Sequence, residues 1–146
     1  MIRFAEEKDL ENCLNLGEEF YKESPIYNTH PWEREKAKDF FYRILNNDWQ
    51  CGIVAYDKND ELIGMVLGSV DECFYSNNKT LNEYIFYIRK DKRGGKTVFK
   101  LIDKWVEWGI TKGAKDVWFI HSSGIGTDKF FKHIGFKQIG TVLRRM

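Results

Sequence analysis

Apolar residues along this chain change their spacing several times, and each change predicts an element. IRFA (2–5) reads as a short strand. Leu10, Cys13, Leu14, Gly17, Phe20 and Tyr21 then recur at helical spacing, and Ser24-Pro25 predicts the helix end. After the loop IYNTH, Pro31 suits the first position of a second helix, with Ala37, Phe40, Phe41, Ile44 and Leu45 on one face. CGIVAY (51–56) and ELIGMVLGSV (61–70), joined by the turn residues DKND, predict a hairpin. SNNKT is a further turn, and LNEYIFYIRK (81–90) is a strand bulky on both faces, as a doubly covered central strand requires. Val98, Leu101, Ile102, Trp105 and Trp108 trace one helical stripe that Gly113 closes. DVWFIH (116–121) predicts another strand, TDKFFKHI a short helix, and FKQIGTVLRR the final strands.

The predicted order is β-α-α-β-β-β-α-β-α-β, a mixed α/β (α+β) domain with a β-α-β crossover over 81–121. With 146 residues and no repeat or linker, one domain spanning 1–146 is expected. Composition changes the picture only at the margins. A 42% hydrophobic and 16% aromatic content belongs to a folded globular chain. No apolar run spans a bilayer and the N-terminus lacks a signal-peptide core, so a cytoplasmic protein without a membrane partner is expected. Cys13, Cys51 and Cys73 are widely spaced and the histidines scattered, which predicts no metal site.

The net charge of +1 hides an asymmetry: residues 89–146 hold 14 basic against 5 acidic side chains, and residues 1–88 hold 9 against 17. This fits a polyanion-facing half and a half tolerant of cations, as well as plain solvated faces. A pI of about 7.7 argues against a dedicated nucleic-acid binder.

Charge, glycine and a strand-to-helix junction coincide at residues 89–98. Gly95-Lys96-Thr97 invites a nucleoside-triphosphate loop, but the first glycine of that motif would fall at position 90, which is Lys90. What remains is a strand, a basic turn with Arg89, Lys90, Lys92, Arg93 and Lys96, and a helix beginning near Gly95. A helix start of this kind holds a diphosphate through free amides and the positive end of the helix dipole.

This arrangement, with its element order, resembles the GNAT superfamily of N-acetyltransferases over essentially the whole chain. That family carries a pyrophosphate loop [QR]-x-x-G-x-[GA] between the fourth strand and third helix. Arg93 fits its first position and Gly94 follows, while Lys96 and Val98 stand where the two defining glycines would be. The R-G-G-K form, FYKESPIYN, ELIGMVLGSV and KHIGFKQIGTVLRR resemble a compact phage or bacterial subgroup.

The resemblance implies transfer of an acetyl group from acetyl-CoA, a cosubstrate, to a small-molecule or peptide amine by direct attack in a ternary complex. It implies homodimers as a common state. Backbone amides of Arg93, Gly94, Gly95, Lys96, Thr97 and Val98, with the Arg93 and Lys96 side chains, would hold the pyrophosphate. The amide of Tyr87 or Ile88 would polarise the thioester carbonyl. Glu83 is the candidate base, placed by simple alternation on one face with Ile85 and Tyr87; a solvated strand-start glutamate is the plain alternative.

Phe131 occupies the cofactor-side position where many relatives carry a proton-donating Tyr, so Ser122, Ser123 or water is expected to serve the thiolate. His121 is a cleft candidate, and Tyr27, His30 and Trp32 fall where the acceptor loop lies. Two other readings stand beside this one: a catalytically idle acyl-CoA-binding module that regulates a partner, which Phe131 favours, and a nucleotide enzyme, which Lys90 opposes.

Overall fold

A computed structural model describes residues 1–120, 122–126 and 128–145. Five strands, β1 (Ile2–Phe4), β2 (Gln50–Tyr56), β3 (Leu62–Glu72), β4 (Lys79–Ile88) and β5 (Ala114–Trp118), form one sheet in sequence order. All neighbours are antiparallel except β4 and β5, which are parallel. The parallel pair is the product of the predicted crossover, made by α3 (Lys96–Thr111). Helices α1 (Leu10–Glu23) and α2 (Arg34–Leu45) cover one face of the sheet, α3 covers the other, and the short α4 (Asp128–His133) lies beside the start of α3.

Each helix buries the stripe its sequence carries. In α1 that stripe is Leu10, Cys13, Leu14, Leu16, Gly17 and Phe20, packed on Val54, Met65, Leu67 and Tyr87. In α3 it is Val98, Leu101, Ile102 and Trp105, with Trp105 fully buried against the opposite face. Burying one such side chain contributes roughly 1.5–3 kcal/mol, so each stripe is a large stabilising contribution beside that of the strands it covers. No helix among the described residues is long and apolar enough to cross a membrane.

Three expectations are corrected. Helix α2 begins at Arg34 rather than Pro31. Residues 30–32 form an arm against α1, where the Tyr21 hydroxyl donates to the His30 carbonyl and the Trp32 ring lies 5.5 Å from that of Tyr21. The final strands are not formed: residues 136–145 carry no regular element. Arg144 instead hooks this segment to the loop after α1, donating to the Ile26 carbonyl (2.8 Å) and Thr29 Oγ1 (2.7 Å).

The third correction bears on the site. Leu67 lies opposite Ile85, but Gly68 lies opposite Glu83, so Tyr84 is an extra residue in β4. A bulge of this kind resets the alternation of side chains. Glu83 therefore shares the α3 face with Leu81, Phe86 and Ile88, while Ile85 and Tyr87 face α1 and α2. Position 68 tolerates only glycine here, because a Cβ would sit 2.2 Å from the Asn82 carbonyl oxygen and 2.8 Å from the Trp105 ring.

Candidate active site

The parallel pairing of β4 and β5 ends at Asn82 opposite Trp118, yet β4 continues to Ile88. Beyond that point one edge of β4 is open, with no strand beside it among the described residues. Which amides face the opening follows from alternation. Arg89 N–H donates to the Ile63 carbonyl of the β3 side (2.9 Å), so Tyr87 also turns its N–H toward β3. Ile88 and Phe86 turn theirs to the open edge. The Ile88 carbonyl agrees, since it accepts from Arg93 Nε (2.9 Å) on the side away from β3. Of the two amides expected at the thioester, Ile88 is the one presented, and Tyr87 is not.

The opening continues into a cleft of about 720 Å³, bordered by Phe86 and Ile88 of β4, Gly94 and Gly95 before α3, and Lys129 and Phe130 of α4. Gly94 adopts φ +91°, a left-handed conformation that favours glycine, and a Cβ at Gly94 or Gly95 would meet nothing within 4 Å. Gly95 is the N-cap of α3 and contributes no capping side chain, so the first-turn amides of this 16-residue helix are left for a ligand. Lys96 is exposed, whereas Val98 turns its side chain into the core beside Ile88 and Ile102. The two departures from the family's loop are therefore different in kind. Val98 joins the core and also gives the cleft an apolar wall, while Lys96 is an exposed cation on the first residue of α3, next to Gly95.

Glu83 sits at the apex of the opening, 7% exposed. Burial pushes its carboxyl up to about 8, although the Ile120 N–H donates to it and pulls the other way. Its Oε2 has no hydrogen-bond partner among the described residues, and neither has Trp105 Nε1, which lies 3.1 Å from where a Gly68 Cβ would be. Glu83 is not among the residues that border the cleft.

On the α1 side, Arg93 forks onto Glu23, with Nη1 to Oε1 and Nη2 to Oε2 both at 2.7 Å. The Tyr87 hydroxyl donates to the same carboxylate (2.6 Å), and the guanidinium lies 5.4 Å from the centre of the Tyr87 ring. The Arg93 hydrogen bonds, helped by that of Tyr87, hold Glu23 below the usual carboxylate range. Burial first, and then the Glu23 charge, push the Tyr87 phenol up. The Arg93 side chain, expected at the pyrophosphate, borders the cleft and is held by Glu23 in this structure.

Phe131 has a setting different from the cofactor-side one expected. It is 6% exposed, with its ring 4.3 Å from Phe119 and 5.5 Å from Phe86, inside an aromatic cluster rather than on the cleft wall. Ser122 pairs with the Tyr27 hydroxyl (3.0 Å), and the serine on the cleft wall is Ser123. Ser123 Oγ accepts from the Ile125 N–H (3.2 Å), which leaves its proton to donate. Its carbonyl accepts from Ser24 Oγ, which ties the loop after β5 to the loop after α1. Phe20, which spacing places only in the α1 stripe, and Lys129, which spacing does not single out, also line the cleft. His121, the other cleft candidate, lies outside the described residues.

A family model described as Acetyltransferase (GNAT) family matches residues 17–136. No curated protein matches the chain. Among solved structures, a transcriptional regulator from Bacillus halodurans C-125 superposes with a TM-score of 0.82 at 18% identity, covering 100% of this chain and 98% of that one. The aminoglycoside antibiotic 6'-N-acetyltransferase AAC(6')-IG from Acinetobacter haemolyticus gives 0.81 at 13%, covering 100% and 97%. AAC(6')-Iy in complex with the bisubstrate analogue CoA-S-monomethyl-acetylneamine gives 0.78 at 18%, covering 100% and 96%. At such identities these likenesses establish the shared fold.

Proposed function

Since the chain belongs to the acetyltransferase (GNAT) family, and is thereby an acetyl-CoA-dependent N-acetyltransferase, we propose that the open edge of β4 is where the acetyl group is transferred. The observation that carries this reading is the Ile88 amide, presented to a cleft that runs to the uncapped start of α3. The amides of Gly94 to Val98 would take the pyrophosphate, with Lys96 and Lys129 supplying charge. The pantetheine arm would lie along the open edge as an added strand does. Apolar walls from Phe86, Ile88 and Phe130 suit such an arm.

With the thioester carbonyl on the Ile88 N–H, the developing oxyanion gains a fixed donor, worth about 3 kcal/mol in comparable sites. A neutral amine attacks the carbonyl carbon, the C–S bond breaks and the amide forms. The ammonium proton passes through water to the ionised fraction of Glu83, whose carboxyl near 8 is matched to that task. The departing thiolate takes a proton from Ser123 or water, a light demand for a thiol ionising near 8.5. Phe131 therefore does not idle the site, and the non-catalytic reading has no structural observation in its favour. A small-molecule amine is the acceptor class favoured here, by the fold's likeness to aminoglycoside acetyltransferases and by acidic Glu18 and Glu19 on α1.

The test is thermal unfolding with acetyl-CoA, CoA and ATP in parallel. Ligand at 100 times its dissociation constant adds about 2.7 kcal/mol to native stability, or roughly 5–10 °C for a domain of this size. Both CoA forms should raise the midpoint and ATP should not. Indifference to millimolar CoA would overturn the assignment of the cleft. Amines, aminoglycosides among them, are then screened for turnover.

A further inference from the structure

Glu23 is the last residue of α1, and both partners of its carboxylate lie more than 60 positions away, at Tyr87 and Arg93. All of that carboxylate's strong contacts go to one place. Oε1 accepts from Arg93, while Oε2 accepts from Arg93 and from the Tyr87 hydroxyl. Arg93 in turn gives Nε to the Ile88 carbonyl. The peptide N–H between Tyr87 and Ile88 is thus bracketed, with the side chain on one flank and the carbonyl on the other bound to the same ion pair.

This bracket stands where β4 has lost its strand neighbour, because pairing with β5 ends at Asn82. A fully exposed ion pair contributes little. Here the side chains are only 33% and 21% exposed and the contact is a two-point fork, which fixes orientation as well as distance.

We propose that Glu23 is a positioning residue for acetyl transfer, aiming the Ile88 amide at the thioester through Arg93 and Tyr87. This rests on the oxyanion role given to Ile88 above. With the Arg93 guanidinium engaged by Glu23 and the binding of CoA assigned above to the amides of α3, loss of Glu23 should separate affinity from alignment. A reacting group misplaced by about 1 Å loses on the order of a hundredfold in rate.

The experiment records amide proton spectra of wild type, Glu23→Ala and the isosteric Glu23→Gln with CoA and with acetyl-CoA, alongside their CoA affinities and unfolding midpoints. In the wild type, the Ile88 amide proton should move downfield with acetyl-CoA relative to CoA. In Glu23→Ala that difference should vanish while the CoA dissociation constant stays within about fivefold, as expected when the amides of α3 carry the binding and only an ion pair is lost. Glu23→Gln, which keeps the Tyr87 contact and half the fork, should recover part of it. A full acetyl-dependent response in folded Glu23→Ala would overturn the role of Glu23 alone, as would a loss of CoA binding matching the loss of response. A wild-type Ile88 amide indifferent to the acetyl group would overturn the oxyanion reading and this inference with it.

Discussion

Replacing Glu83 by Gln should stop turnover and yet stabilise the protein at neutral pH. A glutamate ordinarily ionises near 4.5, and burial raises this one to about 8. Between those values the native state keeps a proton that the unfolded chain has given up. Stability therefore falls as pH rises through that window and is flat on either side. Each pH unit is worth about 1.4 kcal/mol, so by pH 7 the wild type forgoes on the order of 3 kcal/mol. Glutamine does not titrate, its carbonyl continues to accept from the Ile120 N–H, and its amide replaces the protonated oxygen with a donor in the same place. The comparison thus isolates ionisation. Urea unfolding of both proteins at intervals between pH 5 and 8 should show a gap that widens with pH in favour of the variant. Wild-type turnover should rise over the same range as the carboxylate forms. Parallel stability curves would refute the reasoning, since Glu83 would then be solvated or paired and could not be a base poised by burial.

Phe131→Tyr should not restore a proton donor. It would bury a hydroxyl within the cluster of Phe86, Phe119 and Phe136, lowering stability by about 1–3 kcal/mol with no gain in turnover, which calorimetry and a kinetic assay check together. Acid should attack a different place. Burial alone would raise Asp9, but hydrogen bonds from Arg3, Tyr56 and the Glu6 amide outweigh it and hold the carboxyl near about 2 against an ordinary 3.8. That depressed value contributes stability above about pH 4 that is lost on the way to pH 2, about 2 kcal/mol in all. Asp9→Asn should lack this loss, and equal acid sensitivity of the two proteins would contradict the assignment.

Much of the architecture was legible because burial on one side of a helix or sheet imposes a period. The stripes of α1 and α3, the hairpin of β2 and β3 and the crossover around α3 all follow from it. The site was legible only where it is local in sequence, as in Gly94, Gly95 and Lys96 at the start of α3. The bulge left no mark, because Tyr84 is an ordinary strand residue and the shift depends on Gly68 pressed by Trp105 across the sheet. The pairing of Glu23 with Arg93 joins residues whose spacing carries no period. Phe131 matched a position by alignment, but the rings of Phe86 and Phe119 decide where its side chain goes. Pro31 has the chemistry of a helix start, and contacts of Tyr21 with residues 30 and 32 overrule it.

The bulge makes β4 a strand in which one position is counted rather than read. Tyr84 is 39% exposed and meets Phe40 and Gln50 at the surface, so many side chains should serve there. Its presence, not its identity, lets an odd spacing put Glu83 and Ile88 on one face of the sheet. Without it, Leu67 opposite Ile85 and Gly68 opposite Glu83 would be successive pairs of a regular ladder, and the even spacing would keep both residues on that same face. What deletion would remove is the local bend and added twist of a bulge, at the point where pairing with β5 ends at Asn82. Substitution at position 84 and deletion of it are thus different events, the first a change of surface and the second a straightening of the strand between acid and amide.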